Sequence, residues 1–203
     1  MKKYTIYGMG AALVDTEIQV QDTELNAMGV DKGLMTLVDE SRQAELLAQL
    51  EGHLVKASHA SGGSAGNSMI AAAQFGAPTF MSCKVADDAD GAIYVQDLEQ
   101  AGVAHSMAQR PAGTTGKCLV LISPDAERSM NTFLGISETL SVEQLDPTAL
   151  ADSEYLYIEG YLVTSDTGRA AAIRARELAE AAGVKTVLSF SDPGMVEFFR
   201  EGL

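Results

Sequence analysis

The feature that most constrains the fold is a repeated punctuation. Gly76, Gly102 and Gly183 each close a helix-like run and are followed by a strand-like one, PTFMSCK, VAHSM and VKTVLSF. Glycine ends a helix readily because it reaches the left-handed conformation without a Cβ penalty. Helices and strands that alternate in this way predict an α/β fold, a mostly parallel sheet flanked by helices. The chain of 203 residues is long enough to bury one sizeable core. Its 46% hydrophobic and 21% charged content is that of an ordered globular protein. A formal charge of -14 repels polyanions, which argues against nucleic-acid or anionic-membrane partners.

The start, MKKYTIYGMGAALVD, has the lysines of a signal peptide, but its apolar run holds glycines and ends at Asp15. It reads as a first core strand over residues 4–8. No stretch approaches the length of a membrane span. Gly8-Met9-Gly10 invites a dinucleotide-fold reading, yet the third small residue is replaced by Leu13 and no helix pattern follows. Instead Val14, Thr16, Ile18 and Val20 alternate with Asp15, Glu17, Gln19 and Gln21, the signature of a strand. Asp15 stands where the two strands meet, either aimed into a cleft to bond ligand hydroxyls or solvated as an ordinary strand acid. Residues 22–37 read as a turn at 26–29 and a short strand at 34–37, a hairpin or flap.

Residues 59–76, HASGGSAGNSMIAAAQFG, place a glycine pair before an apolar helix. Gly62 and Gly63 permit close backbone approach to a ligand, Gly66 keeps the first turn small, and Asn67 sets a carboxamide beside the exposed amides. A tight strand-to-helix turn with no ligand uses the same residues. A nucleotide P-loop is excluded, because Asn67 and Ser68 stand where Lys and Ser or Thr are needed. Further helices are expected over 39–50, from the acidic entry Asp87-Asp88-Ala89-Asp90-Gly91 to about 101, and over 164–182. The acids at that entry read as helix caps in preference to a metal site. Strands are expected at 79–85, 155–158 and 184–190, with Glu159 at the end of the second, where ligand groups gather in open parallel sheets. Residues 117–123 and 129–134 form a second hairpin around Pro124 and Asp125. Arg128, at its tip, either meets a ligand or is solvated. Cys83 and Cys118 lie in apolar runs without metal or disulfide spacing, which suits buried free thiols in a reducing, cytoplasmic setting.

Taken in order, GMGAALVD, GGSAGNS, KVADDADG, TTGKCLVLISPDAERSMNTFLG and YIEGYLV resemble the ribokinase or PfkB family of sugar and nucleoside kinases over essentially the whole chain. The resemblance implies a ribokinase-like core over residues 1–203 that lacks its C-terminal part, with lid segments near 14–37 and 113–134. It implies an acceptor held beneath the lid and ATP with Mg2+ as donor. Asp15, Gly62, Gly63 and Asn67 would then form the acceptor site, with Glu159 and Arg128 as further contacts. Ser64 stands where ribokinase-type sequences carry lysine, as in the adenosine-kinase-like branch. The family's Gly-Ala-Gly-Asp motif, which carries the general base, and its Asn-x-x-Glu motif do not occur in these residues. The expectation is therefore the N-terminal portion of a kinase, inactive alone, or a truncated homologue that serves as a binding module and dimerises through the lid sheet.

Overall fold

The strand at the centre of the molecule, β1 (Tyr4–Met9), is short, apolar and buried on both faces, as a parallel core strand should be. The computed structural model describes residues 2–53, 55–107 and 109–203, with the backbone alone for 55–59. The side chain of His59, at the head of the glycine-rich stretch, lies outside that description. β1 pairs in parallel with β5 (Thr79–Ser82) and β9 (Ser153–Glu159). β6 (Ala104–His105) and β10 (Lys185–Ser189) extend the sheet to the order β10-β9-β1-β5-β6, parallel throughout. The helices returning between these strands are α3 (Ser64–Gln74), α4 (Ala89–Gln100), α5 (Pro147–Ala151) and α6 (Asp166–Ala181).

One core unites sheet and helices. Tyr7 and Phe80 stack with ring centroids 5.1 Å apart. Met69 of α3, Tyr94 and Leu98 of α4 and the alanines Ala171, Ala175 and Ala179 of α6 close over them, all buried. Alanine at every fourth position gives α6 a smooth stripe that lies close against the sheet.

The chain then leaves the core through Gly10-Ala11-Ala12 into β2 (Leu13–Gln19), the first strand of a second, mixed sheet. Its order is β3-β8-β7-β2-β4, with β3 (Met35–Leu37), β4 (Val55–Gly62), β7 (Gly116–Ile122) and β8 (Arg128–Phe133). The outer face carries Ile18, Leu119 and Leu121 against Leu25 and Leu46, which lie on α1 (Asp22–Met28) and α2 (Glu40–Gln49). Burying each leucine contributes roughly 1.5–3 kcal/mol.

Two expectations need correction, and one strand was not expected. Residues 22–37 are not a hairpin: residues 22–28 form helix α1, with a Gln21/Glu24 capping box, buried Leu25 and Met28, and Gly29 at φ 64° as its left-handed cap. The reach of i,i+3 burial outweighs the turn signal at Asn26. The strand expected after it pairs in parallel with β8, at the far edge from β2. β4 has no expected counterpart; VKASHASG has too little alternation to announce a strand, and β2 supplies the pairing, with register shifts at Asp15/Thr16 and Glu17/Ile18. Residues 160–164, in part expected as helix, form a 3-10 turn, and α6 starts at Asp166 because the Ser165 hydroxyl accepts the Gly168 N–H at 3.0 Å. The β7–β8 hairpin is as expected, as is α2, capped by Asp39. A short helix α7 (Pro193–Phe198) follows β10.

Candidate functional site

Between the two sheets lies a cleft of about 210 Å3. Its floor is Ala11 just past β1, the C-terminal end of β9 and the first turn of α3, and its roof is the inner face of the second sheet, the lid. Asp15, Gly63, Asn67, Arg128 and Glu159 all line it. Gly62 stands just behind Asp15. A Cβ at Gly62 would collide with the Asp15 carboxylate, so the strand pair β2–β4 closes around that side chain only with glycine there.

Asp15 is a strongly perturbed group in the cleft. Its Oδ1 is shielded from solvent and has no hydrogen-bond partner among the described residues. Burial pushes its pKa from 3.8 up to about 7, Arg128 opposes the shift and Glu17 adds to it. Oδ1 packs against Gly62, which leaves the other carboxylate oxygen to accept from ligand hydroxyls in the cleft. Gly63 is the N-cap of α3 at φ 84°, a conformation open to glycine, and a Cβ there would collide with the Ala11 carbonyl. Asn67 sits one turn along, its N–H bonded to the Gly63 carbonyl at 3.0 Å and its side chain exposed at the cleft rim.

The remaining two candidates are engaged by the protein itself. Arg128, the first residue of β8, pairs with Glu17 of β2 at 3.0 Å and is half exposed. Glu159 is 1% exposed, and its two oxygens accept from Ala11, Ser64 and Ala65. Asp88 at the entry to α4 is a cap: its Oδ1 accepts the Gly91 N–H at 2.8 Å, and its carboxylate also receives the Thr115 N–H and hydroxyl at the root of β7.

The apolar roof was not anticipated. Met35, Leu37, Met130 and Leu134 line the cleft from β3, from β8 and from just past its end. Their period-two spacing was visible, but which face turned inward depended on a strand pairing that sequence alone does not give. Tyr161 also lines the cleft, donating its hydroxyl to Asp192 at 2.8 Å and its N–H to the Ser191 hydroxyl at 3.0 Å. Burial and the Asp192 carboxylate hold its phenol well above the usual range.

This architecture and cleft have clear counterparts. Residues 33–203 match the pfkB family carbohydrate kinase. The chain belongs to the pfkB family. A probable sugar kinase from Rhizobium etli CFN 42 superposes with a TM-score of 0.93 at 29% identity, over 99% of this chain and 60% of its own. Adenosine kinase from Sinorhizobium meliloti does so with a TM-score of 0.92 at 32% identity, over 98% of this chain and 60% of its own. The adenosine kinase of Anopheles gambiae, at 22% identity and a TM-score of 0.86, shares the fold. The chain thus spans about 60% of the length of these solved relatives. A search of curated proteins gives no match. Among the described residues no helix is long and apolar enough to cross a membrane.

Proposed function

We propose that this chain supplies the acceptor-binding part of an ATP-dependent kinase acting on a hydroxyl of a sugar or nucleoside. The observation that carries the reading is Asp15, a largely buried acid that lines the cleft under the second sheet and whose Oδ1 has no hydrogen-bond partner among the described residues. In this reading Asp15 accepts hydrogen bonds from acceptor hydroxyls, the carboxamide of Asn67 bonds a neighbouring hydroxyl, and the Gly63 amide fixes the ligand against α3. The apolar roof excludes water and receives the less polar face of the ligand, which favours a nucleoside base over a bare sugar. Kinship with sugar and adenosine kinases of known structure supports the same substrate range.

Phosphoryl transfer consists mainly of positioning and charge neutralisation, and the residues here serve the positioning of the acceptor. ATP and Mg2+ are part of this proposal, supported by family membership. Among the described residues no three His, Cys, Asp or Glu side chains converge as a metal site. The family's general base is proposed to come from sequence beyond these residues.

A second reading, an assembly module, draws support from exposed Val187 and Leu188 on β10 and from Phe190 just after it. β10 is an edge strand of the core sheet, and unpaired edges invite association. That reading moves the contact from the lid sheet to the core edge.

Thermal melting against a panel of nucleosides and free sugars separates the two. An acceptor that raises Tm in the wild type, and does not in Asn67→Ala, supports the kinase reading. A cooperative melt indifferent to the panel, with concentration-dependent association, supports the module.

A further inference from the structure

Glu159 ends β9 beneath the cleft, and every polar contact of its carboxylate is with a donor of the protein. Oε2 accepts the Ala11 N–H at 2.6 Å. Oε1 accepts the Ser64 N–H at 2.9 Å, the Ser64 hydroxyl at 2.5 Å and the Ala65 N–H at 3.3 Å. Ser64 and Ala65 open the eleven-residue helix α3, so their amides have no partner within the helix and carry the positive end of its dipole. Three backbone N–H groups can only donate to it, which favours the ionised carboxylate, while the Ser64 hydroxyl can donate to either form or accept from the protonated one. Burial raises the Glu159 pKa, and the hydrogen bonds from Ser64, Ala11 and Ala65 work against that push in favour of the ionised form. The approach is close enough that a Cβ at Gly10 would collide with Oε2 and with Ala65.

We propose that Glu159 is a specificity-determining positioning residue, an internal anion that fills the N-terminus of α3, so that the cleft takes an uncharged polyhydroxyl acceptor and rejects a phosphorylated or carboxylated one. Helix N-termini otherwise attract anions. Here the place is taken from inside, and Asp15 adds a second acid to the same cleft. The cation at the rim, Arg128, is joined to Glu17 at 3.0 Å. The carboxylate also fixes Ser64 to the turn after β1, which sets the first turn of α3 and hence Asn67. The consequence for ligands rests on the acceptor-cleft reading, while the occupancy of the helix terminus does not.

The test compares wild type and Glu159→Ala in chloride, acetate and phosphate at matched ionic strength. Deleting the carboxylate leaves the Ala11, Ser64 and Ala65 donors facing a hole that an added anion fits. The expected result is a saturable rise in Tm of Glu159→Ala with acetate or phosphate over chloride, and no anion-specific rise in the wild type. If the variant does not fold in chloride, refolding yield in the three buffers is the readout. Equal behaviour in all three, no folding in any, or a phosphate-specific shift in the wild type would overturn the assignment. A separate titration of the wild type compares an uncharged acceptor with its phosphorylated derivative. The derivative should bind weaker by on the order of tenfold or more, and equal affinity refutes the specificity role. Anion rescue without any acceptor binding would refute the cleft reading alone.

Discussion

Asp15→Asn should stabilise the protein at alkaline pH while removing its acceptor affinity. Burial raises the folded-state pKa of Asp15 from 3.8 to about 7. Between those values the folded state holds a proton that the unfolded chain has released, so stability falls as pH rises through this window and levels off above it. A gap of about three units corresponds to about 4 kcal/mol as an upper figure, and partial solvent access reduces it to about 2–4 kcal/mol. Asparagine carries no charge at any pH and escapes this loss. Urea or thermal unfolding of both proteins from pH 4 to pH 8 should therefore give nearly equal stabilities at the acid end. At pH 8 Asp15→Asn should melt on the order of 10 °C higher. Groups other than Asp15 affect both proteins alike and cancel in the difference. Two stability curves that run parallel across the whole range would refute the claim that the carboxylate is held desolvated. The trade of stability for a binding group is the expected mark of a functional acid.

Because ligand hydroxyls favour the ionised form of Asp15, acceptor affinity should rise with pH by up to about tenfold per unit below 7 and flatten near 8; calorimetric titration at several pH values measures it. Gly62→Ala should displace the Asp15 carboxylate, cost about 1–3 kcal/mol in denaturant unfolding and abolish the ligand-induced Tm shift; retention of that shift would count against the β2–β4 packing at the site. Val187→Lys together with Phe190→Ser should reduce concentration-dependent association in sedimentation experiments, since both residues are exposed at the β10 edge; unchanged association would exclude that edge.

Much of this was legible in the sequence because the signals were local. The acid-rich cap at Asp88, the Pro124–Asp125 turn and the glycine pair each act within a few residues, and the structure contains each of those local elements. The alternation of residues 14–21 showed that Asp15 and Val14 face opposite ways, and Asp15 indeed lines the cleft while Val14 joins the core. What escaped was non-local. Helix α1 is secured by Leu25 and Met28 against the lid, a contact with residues almost a hundred positions away, Leu119 and Leu121. β4 exists through its pairing with β2, and the Glu159 clamp depends on donors from Ala11 and Ser64 that only the fold brings together. Arg128 was open between ligand and solvent, and its pairing with Glu17 depends on the register of a sheet that no local pattern announces.

The central claim, that Asp15 receives the hydroxyls of an uncharged acceptor, is tested most directly by calorimetric titration of wild type and Asp15→Asn at pH 8 with a panel of nucleosides and free sugars. The account predicts that one class binds the wild type at a single site and binds Asp15→Asn at least about tenfold weaker, as expected when a charged hydrogen-bond partner is lost. Equal affinity for both proteins, or no binding anywhere in the panel by a cooperatively folded wild type, would contradict it.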